Sequence, residues 1–164
     1  MSWHARIVGT VNYAEQGAMR HKLKDVKRVK IIRFKAPLFF ANAKQLQDSI
    51  EEMVRLRDDP MAGLTELWTA LVIDFGAVEW VDTTSIDIFR EIMAYLTARD
   101  IPLGLARVSN RVVTTMGRAN IRLGDEVPIF PSVHHAVKSV LRDGGWERQK
   151  SASAGKGAKE TSLA

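Results

Sequence analysis

The sequence predicts an α/β domain with a mixed, mostly parallel central sheet of about five strands and about four helices. Three observations carry this. From residue 28 to residue 142, short runs of β-branched and apolar residues alternate with segments whose apolar residues recur every three or four positions. Single helical segments separate the successive strands, and such connections form right-handed crossovers between parallel neighbours. The strongest run, Leu71-Val72-Ile73-Asp74-Phe75, is apolar apart from one acid and reads as a buried strand.

Taken in order, the chain opens with a first strand expected at Arg6–Val11, interrupted by Gly9 and pairing antiparallel at an edge. Residues 14–27 are polar and basic and read as a loop. Residues 28–35 are rich in β-branched and aromatic types and form the next strand, which Pro37 closes. Asn42 and Gln45 have the spacing of a capping box. The helix they would start carries Leu46, Ile50, Met53 and Val54 on one face and ends at Asp58-Asp59-Pro60. A strand over Trp68–Phe75 follows, then a helix over Thr84–Ala98 with Ile86, Phe89, Met93 and Leu96 facing inward. Leu103–Ala106 is a short strand. Asn110 caps a short third helix weakened by Gly117. Val127–Phe130 is a brief strand, and Pro131-Ser132 starts a last helix with Val133, Val137, Val140 and Leu141 inward. The domain therefore spans residues 5–142, with 1–27 as a basic lead-in, and residues 144–164 are expected to be a disordered tail.

Bulk composition narrows the function. The 164 residues are 46% hydrophobic and 26% charged, enough for one cored domain. There is no cysteine, hence no disulfide or thiolate chemistry. No apolar stretch approaches the ~20 residues that span a bilayer. The start of the chain lacks the apolar core of a secretory signal. The absence of cysteine fits a reducing compartment. The net charge of +5 is concentrated early: residues 1–33 hold eight Lys/Arg against two acids. The run Arg20–Arg33 suits an anionic membrane surface. It lacks interleaved aromatics and any nucleic-acid-binding module, so no nucleic acid partner is expected.

No catalytic constellation is legible. His4 and His21 sit in the basic flank, while His134 and His135 are adjacent and project differently. No metal-ligand spacing and no Gly-rich phosphate loop is present. The chain is expected not to be an enzyme. The informative stretch is the polar knot Asp82-Thr83-Thr84-Ser85, between the strand over Trp68–Phe75 and the helix after it. Hydroxyls there serve as helix caps: Thr84 with Asp87 as the acidic partner, or Asp82 or Thr83 as the cap. The free amides of the same terminus also favour an anionic group. Thr84 or Ser85 could carry a phosphate there, and Arg107 and Arg111, at the next strand-to-helix connection, are candidate anion or nucleotide contacts. The knot lies at the carboxyl edge of a parallel sheet, where ligands gather.

Val81-Asp82-Thr83-Thr84-Ser85-Ile86 resembles the signature loop of STAS domains, the sulfate transporter and anti-sigma factor antagonist family. In the bacterial antagonists the loop reads roughly aromatic or aliphatic, Asp, Ser, Ser, Gly, Leu. Their phosphorylated serine falls on Thr84, and their glycine is replaced by Ser85. Ala36-Pro-Leu-Phe-Phe-Ala-Asn-Ala43, after a basic strand, resembles the corresponding segment of SulP-type anion transporters. Val8-Gly-Thr-Val-Asn-Tyr13 resembles the lead-in from their last membrane helix. The likeness covers residues 5–142.

The resemblance implies a STAS-like fold and a regulatory, non-catalytic role at the cytoplasmic face of a membrane. It implies a protein partner, either the membrane domain of a transporter or a kinase and anti-sigma-type regulator. It also implies a homodimer contact, and no cofactor beyond a regulatory guanine or adenine nucleotide. The alternative is a stand-alone antagonist-like regulator switched by a kinase at Thr84 or Ser85.

Overall fold

The computed structural model describes residues 2–7, 13–15, 23–24, 28–59, 61 and 68–142. Their elements are β1 (Ser2–Ile7), β2 (Tyr13–Glu15), β3 (Leu23–Lys24), β4 (Val29–Arg33), α1 (Phe40–Asp58), β5 (Ala70–Asp74), α2 (Thr83–Thr97), β6 (Leu103–Ala106), α3 (Asn110–Arg118), β7 (Ile129–Phe130) and α4 (Val133–Leu141).

Strands β4, β5, β6 and β7 lie side by side in that order and are all parallel. Each added strand advances in the same direction, so right-handed crossovers must place α1, α2 and α3 on one face of the sheet. They bury Leu46, Ile50, Phe89, Ile92, Leu96, Val112 and Met116 there against Ile32, Leu71, Ile73 and Leu105. Helix α4 covers the other face, packing Val133, Ala136 and Val137 on Val29, Ile31, Ala70, Val72 and Ala106. Strand β5 is buried at every position, as a central strand covered on both faces should be.

The N-terminal side departs from the sequence reading. The first strand is Ser2–Ile7 rather than Arg6–Val11, and residues 8–11 lie outside the described residues. Trp3, Ala5 and Ile7 alternate with Ser2, His4 and Arg6, a period of two that ends before Gly9. β1 runs antiparallel to β4, with Ser2 opposite Arg33 and Trp3 opposite Ile32. It is not the edge, because β2 and β3 both pair antiparallel with it. Parts of the basic stretch read as loop are thus recruited as strand by an open neighbour rather than by their own propensity. Much of the Arg20–Arg33 run, and the tail at 144–164, lie outside the described residues.

Two helix starts also shift. Helix α1 begins at Phe40, and Asn42 stands at its third position. The Asn42 amide oxygen accepts the Phe39 backbone N–H at 2.9 Å, and its amide nitrogen donates to the Pro37 carbonyl at 2.7 Å. Asn42 supplies the returning half of a capping box rather than the cap itself. Helix α3 is capped by Ser109, which accepts the Val112 amide at 3.3 Å, and Asn110 is its first residue. Ser132 caps α4 through the His135 amide, as the sequence suggests.

Candidate interaction site at the carboxyl edge of the sheet

The carboxyl ends of β4 and β5 lead into two segments that pair with each other before either becomes a helix. The Leu38 amide donates to the Trp80 carbonyl at 3.0 Å, and the Asp82 amide donates to the Leu38 carbonyl at 3.1 Å. Leu38 and Val81 form a parallel bridge, and both side chains are buried. The starts of α1 and α2 are therefore fixed side by side.

Asp82 serves both helices. Its Oδ1 accepts the Ser85 amide at 2.6 Å and caps α2. Its Oδ2 accepts the Phe40 amide at 3.3 Å, at the first residue of α1. Partial burial pushes this carboxyl up, but the donated hydrogen bonds outweigh it and hold the group below its ordinary range. Of the capping alternatives in the sequence, Asp82 is the one realised. Thr84 does not cap, and Asp87 turns outward to pair with Arg90 at 2.6 Å.

The knot divides sharply by exposure. Ser85 is 0% exposed, and its Oγ lies 2.9 Å from the Leu38 carbonyl and 2.8 Å from that of Asp82. In this conformation the Ser85 hydroxyl is turned inward and acts as a structural fastener between the two segments. Thr83 and Thr84 are exposed on the first turn of α2. Beside them three aromatic side chains face solvent: Phe39 is 40%, Phe40 58% and Trp80 40% exposed. Leu38 accounts for their proximity, because it bonds to Trp80 while Phe39 and Phe40 follow it directly. In the sequence, Phe39 and Phe40 stand out only within the segment of family likeness, and Trp80 lies outside it. Two adjacent phenylalanines at the start of a helix whose apolar face lies elsewhere are the signal that marks these two as surface.

On the opposite face of the same edge lies a charged cluster. Asp74 ends β5 and is 1% exposed. Arg107 grips it with two bonds, Nε to Oδ1 at 2.8 Å and Nη2 to Oδ2 at 2.7 Å. Arg33, opposite Asp74 in the β4–β5 register, adds Nε to Oδ2 at 2.9 Å. The Gly76 amide donates to Oδ1 at 3.1 Å. Burial raises the affinity of Asp74 for a proton, but the Arg107, Arg33 and Gly76 hydrogen bonds together hold its carboxyl below the usual range. Arg107 adopts a left-handed backbone, φ 59°, which a long side chain rarely accepts without compensation. Its guanidinium lies across Gly76, where a Cβ would stand 2.6 Å from Nε and Nη2.

The sequence-predicted contacts therefore separate. Arg107 is committed to Asp74 and not to the amides of α2. Arg111 is exposed in the first turn of α3 and forms no ion pair among the described residues. Asp74 was the sequence signal for this cluster, since a carboxylate inside a buried strand must find hydrogen-bond donors or a cation nearby. Among the described residues, no group of three or more His, Asp or Glu side chains is placed to hold a metal ion. No helix among them is long and apolar enough to cross a membrane.

The model of one protein family, described as STAS domain, matches residues 21–136. Among curated proteins, the chain is 24% identical over 112 residues to a protein of Arabidopsis thaliana described as probable sulfate transporter 4.2, a match covering 66% of this chain and 16% of the relative. Among solved structures, the murine Solute Carrier 26 family member A9 anion transporter in its inward-facing state is similar, with a TM-score of 0.71 at 19% identity over 87% of this chain and 22% of that one. A Thermotoga maritima protein described as a candidate anti-sigma factor antagonist is similar at a TM-score of 0.52 and 17% identity, over 74% of this chain and 92% of that one. At these identities the structural likenesses establish a shared fold. The chain spans only 16% of the curated relative and 22% of the murine transporter.

Proposed function

The chain belongs to the STAS domain family, and from that premise we propose that it is a non-catalytic regulatory domain that contacts the membrane-spanning part of a SulP-type anion transporter at the cytoplasmic face. The observation that carries this reading is the patch of Phe39, Phe40 and Trp80 beside the exposed Thr83 and Thr84. Three large aromatics held at one rigid edge are more than scattered surface apolar residues, and aromatic anchors of this kind dominate protein contacts. The sulfate transporter likeness supports this choice of partner class.

The test is co-purification in detergent of this domain with the membrane portion of a SulP-type transporter from the same genome. Retention is expected for the parent and loss for Phe40→Ala combined with Trp80→Ala. Equal retention of both proteins, or of neither, would sink the reading.

Exposure of Thr84 favours one second reading: a stand-alone regulator phosphorylated there by a partner kinase. Incubation with candidate partner kinases from the same genome, followed by intact-mass analysis, should add one phosphate to the parent and none to Thr84→Ala. No added mass on the parent would argue against it.

A further inference from the structure

We propose that Arg33 and Arg107, arranged by Asp74, form a binding site for a small free oxyanion of the sulfate or phosphate type. This goes beyond the partner-contact reading, because the cluster lies on the α4 face of the sheet and the aromatic patch at the starts of α1 and α2. Alternation along β4 places Arg33 on the same face as Val29 and Ile31, and along β5 places Asp74 with Ala70 and Val72.

The chemistry follows from how the charges are spent. Among the described residues, two guanidiniums meet one carboxylate in this cluster, an excess of one positive charge. Three N–H groups on the two arginines go to Asp74: Nε of Arg33, and Nε and Nη2 of Arg107. Asp74 is also engaged by the Gly76 amide, so each of its oxygens has two donors and its acceptor capacity is filled. The carboxylate is 1% exposed, whereas the arginine side chains are 31% and 44% exposed. The acid is hidden and the cations are presented. A guanidinium whose orientation is already fixed loses little freedom on binding, and its planar fork matches two oxygens of a sulfate or phosphate group. Gly76 keeps the surface beside Arg107 bare, since any side chain there would push the fork aside. The left-handed backbone of Arg107 is an unfavourable conformation retained to aim this one side chain.

The experiment is isothermal titration of the parent protein with sodium sulfate and with inorganic phosphate at fixed ionic strength, using chloride as the compensating salt. Saturable binding of at least one oxyanion is expected. Arg33→Gln, which leaves the two bonds from Arg107 to Asp74 in place, should weaken it by roughly tenfold. Arg122→Gln removes an equal charge at a site away from the cluster and should leave it unchanged. Circular dichroism of each variant confirms the fold. Absence of oxyanion binding beyond the chloride control, or equal loss in Arg33→Gln and Arg122→Gln, would overturn the site. A third arm titrates adenosine and guanosine monophosphates. Binding of these but not of inorganic phosphate or sulfate would assign the site to the phosphoryl group of a larger molecule and overturn the free-oxyanion proposal.

Discussion

Arg107 holds Asp74 through two parallel hydrogen bonds, at 2.8 and 2.7 Å, from the connection that follows the neighbouring strand. The acid is the buried member and the base the exposed one, so the pair ties the end of β5 to the turn after β6. Removing the base leaves a carboxylate in the interior with Arg33 and the Gly76 amide as its remaining donors. Arg107→Ala should therefore destabilise the fold by about 2–3 kcal/mol, below the full cost of stranding a buried charge. Urea unfolding measures it. A loss below about 0.5 kcal/mol, the level of an ordinary surface substitution, would mean that Arg33 and the Gly76 amide suffice for Asp74.

Gly76 is expected to matter only because of Arg107. A methyl group there meets the guanidinium and not the backbone. Gly76→Ala should be destabilising in the parent and close to neutral when Arg107 is already Ala. The coupling in a double-mutant cycle should exceed about 0.5 kcal/mol. Additive effects would place the strain elsewhere in the turn.

Acid sensitivity follows from the two carboxyls at this edge. Asp74 and Asp82 are both held below their ordinary values in the fold. The unfolded chain therefore binds more protons over that interval, and the stabilisation these groups contribute is complete above the unfolded-state value of about 4. It is lost as pH falls through their lower folded-state values. Urea midpoints measured from neutral pH downward should stay level as far as these two groups are concerned and then drop. The drop should be shallower in Asp74→Asn, which has less to lose. An identical acid profile in that variant would show that other groups govern acid unfolding.

How far this site was legible in the sequence depends on the range of the interaction concerned. Local signals are self-sufficient. Leu103–Ala106 is a strand with the bounds its apolar run suggests, and Ser132 caps α4. The order of single helices between strands yielded the parallel sheet, and Asp82 was among the capping alternatives. What escaped was set by pairing across the chain. Ala14-Glu15 and Leu23-Lys24 become strand because β1 offers a partner, not because of their own propensity. The fate of Ser85 depends on the Leu38 carbonyl, 47 residues away, and that of Arg107 on Asp74, 33 residues away. A string of hydroxyls cannot reveal which of them turns inward until the segment opposite is known.

Asp82 links the starts of both helices, and its replacement should be felt in both. Asp82→Ala removes the cap of α2 and the acceptor for the Phe40 amide, at a cost of about 1–2 kcal/mol. Hydrogen exchange should accelerate at Ser85 and at Phe40 together. Acceleration confined to α2 would show that the 3.3 Å contact to Phe40 contributes nothing.

The aromatic patch should separate binding from stability. Phe40 is 58% exposed, so truncating it removes little buried area, and Phe40→Ala should change unfolding stability by less than about 0.5 kcal/mol. Trp80 is 40% exposed and accepts the Leu38 amide through its backbone carbonyl, so Trp80→Ala leaves that hydrogen bond in place. If the patch is a contact surface, each variant should weaken partner binding by roughly tenfold or more while circular dichroism and the urea midpoint stay near those of the parent. The informative control is Leu38→Ala. Leu38 is fully buried and takes part in no surface, so its loss should cost about 2–5 kcal/mol in stability. Should Phe40→Ala and Trp80→Ala instead lower stability as Leu38→Ala does and leave binding intact, the aromatics would belong to the fold rather than to a partner.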